Sequence, residues 1–548
     1  MTCPAAPRCG IVGSWPAWLA VVGICLAVYG QVLGFGWMDW DDDTHVTRNP
    51  GLNPVTLSSV VDFWNRPYEG LYIPVSYTLF AAESAASRVL VPAAPPAPPD
   101  PRLFHAVSIL LHVACVLLVG RLLALRVADG WPTVAGMLLF ALHPLQVESV
   151  AWISEQRGLL ATALGLAALC LVSKRDRAAR FGIRDVLALA CFALALLAKP
   201  TATVVPLVLA ILDGAGDWRR TAAAAGRAWP WFVIAVVVAV VTKTQQPDEW
   251  SREGVDVTPI LRPLIAGDAV CFYAEKLLIP VGLCLDYGRF PGLVLANRWL
   301  CARAVLALVV LGAVCLTPRL RVARIPLGVG VVGLLPVLGL VPFTFQGFST
   351  VADRYMYLPM LGPAFALALA VRWLAAGPRR AAIAGIAAWL VALTGLTLLQ
   401  LPVWRDATAL NTQIVRVNPR SAGGHLGLAA VLLADGRLQE AADTLRAAVA
   451  ADPTYVKPRY ELASTLHKLG ARAEAEEQYR EVIRQRPRWS YAHNDLGILL
   501  AEQGRLDEAI EHFREAVALR PDLEAQRNNL QRAEAERPRS RDATSLSP

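Results

Sequence analysis

Ala381–Leu401 reads AAIAGIAAWLVALTGLTLLQL, a stretch with no charged side chain. As a helix it is long enough to cross a bilayer. Apolar runs of similar kind recur from the N-terminus up to this point and then stop; beyond Leu401 the chain is polar and charged. The boundary decides the fold class: an all-α chain, with a polytopic membrane helical domain over 1–401 followed by a soluble C-terminal part.

Upstream of it, apolar segments lie near 11–33, 103–125, 132–150, 158–173, 184–198, 201–212, 229–243, 300–316, 325–343 and 356–374. The first is too long for a signal-peptide core and reads as a retained span. A further segment, 264–285, carries Asp268, Glu275 and Lys276 and suits an interfacial or re-entrant helix. Basic connections set the topology. Those with Arg121 and Arg126, with Lys174, Arg175, Arg177, Arg180 and Arg184, with Arg219, Arg220 and Arg227, with Arg319, Arg321 and Arg324, and with Arg379 and Arg380 are expected inside. Alternation then gives about eleven spans with an inside N-terminus. A large first loop, 34–102, and everything after Leu401 fall outside. That loop ends in a proline-rich run, Val91–Pro101, which favours an extended spacer.

The net charge of +8 belongs to these loops, and no basic face interleaved with aromatics suggests nucleic acid as a partner. All ten cysteines lie at or before Cys315 without a CxxC pair, so neither a zinc site nor a disulfide framework follows. No phosphate loop of the GxxxxGK[ST] type occurs, which leaves nucleotide-driven chemistry unsupported.

Downstream, the chain repeats. Gly436, Gly470 and Gly504 are 34 apart, as are Ala441, Ala475 and Ala509, and Pro453, Pro487 and Pro521. Leu428, Leu462 and Leu496 share one place in this frame, and Leu445, Tyr479 and Phe513 another. Two helices per repeat, glycine at the turn, alanine at the contact and proline after the second helix make the tetratricopeptide pattern. The repeats are expected at 422–455, 456–489 and 490–523, after a helical connector at 402–421. A capping helix carries them to residue 537, and a disordered tail follows over 538–548.

The outer side concentrates polar residues. Asp39, Asp41, Asp42 and Asp43 follow the first span directly; a solvated loop often carries acids, and carboxylates there can also act as base or metal ligand. His143 and Glu148 lie near the outer end of the third span, with Glu155 and Arg157 in the next turn. Lys199 precedes Pro200 in another outer turn, and Asp353, Arg354 and Tyr355 open a later span. Charges at a membrane edge are costly and are functional candidates by default, although each alone could be an anchor or an ion pair. His105 and His112, seven apart, share a helix face and read as packing or hydrogen-bonding residues more readily than as a metal site.

These stretches together resemble the transmembrane and tetratricopeptide-repeat proteins of the GT-C glycosyltransferase class, which include protein O-mannosyltransferases. The resemblance rests on Trp40–Asp42 with Asn49-Pro50, Tyr72–Tyr77, Phe104-His105 with Leu111-His112, Ala141–Trp152, Ala198–Pro200, Ala352–Pro359 and the repeats. It implies a GT-C-like membrane domain with an extracytoplasmic active site and a sugar donor carried on a polyprenyl phosphate. Asp41 and Asp42 take the acidic, catalytic role; Asp39 and Asp43 rank lower. Arg157, Lys199 and Arg354 become candidates for the donor phosphate, with His105, His143, Glu148, Glu155, Asp353 and Tyr355 in support. The chain departs from the pattern where His45 replaces Tyr and where Gly158 stands in place of an acid.

The expectation is a multi-pass enzyme of a bacterial inner membrane. It transfers a sugar, mannose by the resemblance, to Ser or Thr of a protein acceptor recruited by extracytoplasmic repeats. No cofactor is assigned, and a divalent cation is left open. The alternative is a non-enzymatic membrane scaffold whose repeats bind partners; a transporter ranks third, since no paired inverted half-helices stand out.

Overall fold

The computed structural model describes residues 15–545 apart from 39, 93–96, 174–180, 246–256 and 376–378. The beginning of the first apolar segment at Ile11, Asp39, part of the proline-rich run, and Lys174, Arg175, Arg177 and Arg180 lie outside the described residues. The chain divides into two compact units, Met1–Leu410 and Asn411–Pro548. Regular structure among the described residues is helical, with two isolated bridges and no strand.

The first unit begins with α1 (Trp15–Tyr29), then α2 (Leu57–Asn65) and α3 (Pro74–Leu90), then α4 (Pro101–Arg126), α5 (Trp131–Leu142), α6 (Val147–Ala151) and α7 (Gln156–Val172). It continues through α8 (Ile183–Ala198), α9 (Val205–Gly214), α10 (Trp218–Arg227), α11 (Trp229–Gln245), α12 (Arg262–Leu278) and α13 (Pro291–Ala296). α14 (Arg298–Leu316), α15 (Arg324–Leu334), α16 (Leu361–Ala375) and α17 (Arg380–Gln400) complete the bundle.

Local chemistry sets several of these limits. Proline opens α3 and α4, where its missing N–H costs nothing. Asp100 caps α4 by accepting from the Arg102 N–H, and Asn297 caps α14 through Trp299 and Leu300. α5 stops at His143 and α8 at Lys199 because each precedes a proline, which forces the residue before it out of the helical region. Both residues are extended, with ψ of 134° and 121°.

Among the described residues, five helices are long and apolar enough to cross a membrane, or up to seven if each of two bent pairs counts as one span. The apolar segments read near 201–212, 325–343 and 356–374 form shorter helices, Pro200–Gly214, Arg324–Val337 and Leu361–Ala375. The first of them begins at Pro200 and ends at Gly214.

The bundle has two chemically different ends. At one, Arg126 pairs with Asp213 at 2.7 Å, Arg321 with Asp217 at 3.8 Å, and Arg372 donates to the Val127 carbonyl at 2.6 Å. At the other, Arg157 meets Asp41, Lys199 meets Glu155, and Arg354 meets Glu148. α4, α7, α16 and the helical stretch Pro200–Gly214 each run from one set of contacts to the other.

The stretch after α1 is a folded cap. Its aromatic core includes Phe63 stacked on Tyr77 at 4.7 Å, with Phe80, Phe104 and Ile153 buried beneath.

In the second unit, α18 (Ala407–Val417), which straddles the division, leads into α19 (Ala422–Ala434), α20 (Leu438–Ala451), α21 (Val456–Lys468), α22 (Arg472–Gln485), α23 (Ser490–Glu502) and α24 (Leu506–Leu519). The turn glycines Gly436, Gly470 and Gly504 have φ of 73°, 77° and 78°, left-handed values that favour residues without a Cβ. Ala441, Ala475 and Ala509 are fully buried where paired helices touch. α25 (Glu524–Ser545) extends the helical backbone past Pro538, where the sequence suggests disorder; residues 546–548 lie outside the described ones.

Candidate active site

The acidic stretch leaves α1 through a short 3-10 turn, Gly30–Gly34, continues without regular structure from Phe35 to Met38, and enters a helical turn at Asp41. Adjacent residues on a helical turn point about 100° apart. Asp42 points inward and is fully buried. Its carboxylate accepts from the Met38 N–H at 3.1 Å, the Ser154 N–H at 2.9 Å and the Ser154 hydroxyl at 2.5 Å. It thereby ties the loop to the turn before α7. Asp41 keeps 40% of its side chain exposed and accepts from the Arg157 guanidinium at 2.6 Å.

Burial pushes the Asp42 carboxyl up to about 7, against three hydrogen bonds that favour its ionised form. Burial also raises Asp41, but Arg157, with Arg354 behind it, outweighs this and holds it below the ordinary carboxylate range.

The three cations singled out from sequence come together. Glu155, only 1% exposed, faces Lys199 Nζ at 2.7 Å, Arg157 Nε at 3.6 Å and Arg354 Nε at 3.8 Å. Arg157 opens α7, Lys199 ends α8, and Arg354 sits in the 3-10 turn Asp353–Met356. Burial lowers the Lys199 ammonium, and the Glu155 charge opposes that shift. Arg354 pairs with Glu148 at 2.6 Å, and its guanidinium lies 4.3 Å from the Phe345 ring, 5.0 Å from Tyr355 and 5.4 Å from Trp152.

Gly158, where an acid was expected, has a packing reason: a Cβ there would sit 2.8 Å from Glu155 Oε2 and 3.3 Å from Lys199 Nζ. Glycine leaves room for that ion pair.

The supporting residues separate. Asp353 is buried beside Glu148, which raises its carboxyl well above the usual range, and it accepts from the Tyr287 hydroxyl at 2.6 Å. His143 stands outside the cluster. Its Nδ1 accepts from the Leu145 N–H and its Nε2 donates to the Leu277 carbonyl at 3.0 Å. His105 is buried edge-on to Phe35, with ring centroids 6.3 Å apart. Among the described residues no three His, Cys, Asp or Glu side chains gather as a metal site would require.

Sequence reasoning missed several contributors. His45 bonds the Tyr77 hydroxyl at 2.9 Å, and burial, then Arg157, lowers its ring to about 4, so it is neutral. Ser76 donates to the Ala198 carbonyl at 2.9 Å and docks α3 on the Lys199 turn. After α17, Trp404 stacks on Trp152 at 5.9 Å, and the Arg405 carbonyl accepts from the Gly36 N–H at 3.0 Å. The apolar character of the Leu401–Trp404 turn was the available signal for this last contact.

A tetratricopeptide-repeat family profile matches residues 393–456 and 460–524. A curated protein O-mannosyl-transferase of Caenorhabditis elegans is 24% identical over 466 residues, covering 80% of this chain. The chain spans 63% of that relative's length. Solved structures with similarity include a MamA protein, at 19% identity over 25% of this chain and 75% of that one, with a TM-score of 0.23. A thermophilic TPR protein of Thermus thermophilus matches at 21% identity over 32% of this chain and 92% of its own, with a TM-score of 0.22. Those scores are too low to bear on the fold. The resemblance read from the sequence therefore holds: the chain is similar over four-fifths of its length to a protein O-mannosyl-transferase, and its C-terminal region carries tetratricopeptide repeats.

Proposed function

We propose that this chain is a GT-C-type membrane glycosyltransferase that moves a sugar, mannose by analogy with its relative, from a polyprenyl phosphate to Ser or Thr of a protein acceptor. The observation that carries this reading is the convergence of Arg157, Lys199 and Arg354 around Glu155, beside a partly exposed Asp41. Cations brought together from three distant stretches are what a departing phosphate needs, and an accessible carboxylate is what an acceptor hydroxyl needs.

The mechanism is a single displacement. The acceptor oxygen attacks the anomeric carbon, the bond from that carbon to the phosphate oxygen breaks, and the hydroxyl proton passes to Asp41. Polyprenyl phosphate leaves into the cation cluster. Of the two aspartates, Asp41 has the access that a base requires; Asp42, enclosed by Met38 and Ser154, holds the loop in register.

The site lies on the extracytoplasmic side of a bacterial inner membrane. Supporting this sidedness, the basic connections gather at the opposite end of the bundle. The same end-to-end pattern is compatible with about eleven passes, the short helices included and α12 excluded. Arg405 and Trp404, in the first unit, pack beside the acidic loop; the role of the repeats is to recruit the acceptor.

The test is transfer from lipid-linked mannose to a Ser/Thr-rich peptide by the full chain in proteoliposomes. The parent should glycosylate the peptide and Asp41→Asn should lose activity by about a hundredfold or more. Equal transfer by the variant would remove Asp41 from the base role.

A further inference from the structure

Glu155 is buried at the centre of the cation cluster, and among the described residues it is the ion-pair partner of Lys199. Arg157 and Arg354 each have a second acid, Asp41 and Glu148. Three carboxylates thus face three cations, and a phosphate entering the cluster meets a site whose positive charge is already matched. Yet the cations are not sealed: Arg157 keeps 13% and Lys199 17% of its side chain exposed.

We propose that Glu155 is an internal counter-anion that sets the affinity of this cluster for phosphate. The inference rests on the phosphate reading given above. With the site empty, Glu155 holds three like charges together that would otherwise repel. With a lipid phosphate bound, its charge opposes the ligand. The donor is a phosphodiester with one negative charge; the product is a monoester carrying up to two. A fixed carboxylate therefore disfavours product more than donor and drives the leaving lipid out after transfer.

The experiment measures binding of a short-chain polyprenyl phosphate to the purified full chain in detergent, with the matching polyprenol as the head-group control. Glu155→Gln should bind the phosphate about tenfold tighter or more, a modest share of the repulsion between charges a few ångströms apart. Lys199→Met should bind it more weakly, and polyprenol should bind all three alike. In Glu155→Gln the steady-state rate should fall further below the variant's own first-turnover rate than it does in the parent, which reads product release apart from the chemical step. Where Glu155→Gln fails to fold, Gly158→Ala is the second variant. Its added methyl would crowd Glu155 Oε2, at 2.8 Å, more than Lys199 Nζ, at 3.3 Å, so it should displace the carboxylate first without changing formal charge and tighten binding in the same direction. Unchanged or weaker phosphate binding by these variants, in a parent that prefers phosphate to polyprenol, overturns the role of Glu155. A parent with no such preference overturns the phosphate reading itself, and this inference with it.

Discussion

Because Asp41 pairs with Arg157, its carboxyl titrates below the ordinary aspartate value, and the midpoint of the acidic limb of transfer should lie below that of a free aspartate, about 3.9. Arg157→Gln removes the cation that depresses Asp41, so the limb should move up in pH; an unmoved limb in kcat/KM would detach Asp41 from the proton transfer. Asp42 behaves in the opposite sense. Its folded carboxyl titrates at about 7, above its unfolded value near 4, so it favours the fold most below about pH 4 and loses that contribution as pH rises through 7. Asp42→Asn should therefore lose less thermal stability than the parent between about pH 5 and 8, measured as Tm in detergent. The sequence places Asp41 and Asp42 side by side with equal claim. Which one faces solvent depends on Ser154, 112 residues away, and no local pattern carries that.

At the level of elements, prolines set the positions of the site's side chains. α8 ends at Lys199 because Pro200 follows; Pro200→Ala should let the helix run on and turn Lys199 away from Glu155. Donor KM should then rise by about five- to tenfold, an effect of position more than of charge. The turn Leu401–Trp404 makes a second case. Trp404 is 1% exposed against Trp152, which in turn lies by Arg354, so Trp404→Ala should cost about 3–5 kcal/mol of stability, seen as a lower Tm, and should weaken transfer. The sequence reading put Lys199 and Pro200 in a turn between spans, but it took 132–150 as one segment through Pro144, where the helix ends at Leu142 and the chain bends by 53°. It did not suggest that residues beyond Leu401 pack into the first unit, because an apolar run ends there and polarity was the only guide. The cap over 34–102 was read as a loop for a related reason: its helices are short, and its core draws Phe104 and Ile153 from elsewhere.

For the whole molecule, the two-part organisation was legible because each part repeats a simple physical theme. One is bilayer-length apolarity; the other is a 34-residue frame whose glycines adopt positive φ. The number of crossings was less so, since half-length helices look alike in a bundle core and in a bilayer, and α19 in the repeats is itself short and apolar. A reporter fused to the C-terminus and active only outside the cytoplasm should be active; a silent extracytoplasmic reporter with an active cytoplasmic one would separate the repeats from the acidic site. The central claim is tested most directly by intact-mass comparison of glycoproteins from cells with the chain, without it, and complemented by Asp41→Asn. Hexose increments should be present with the parent, vanish on deletion and stay absent with the variant. Increments unchanged across all three would contradict a glycosyltransferase centred on Asp41.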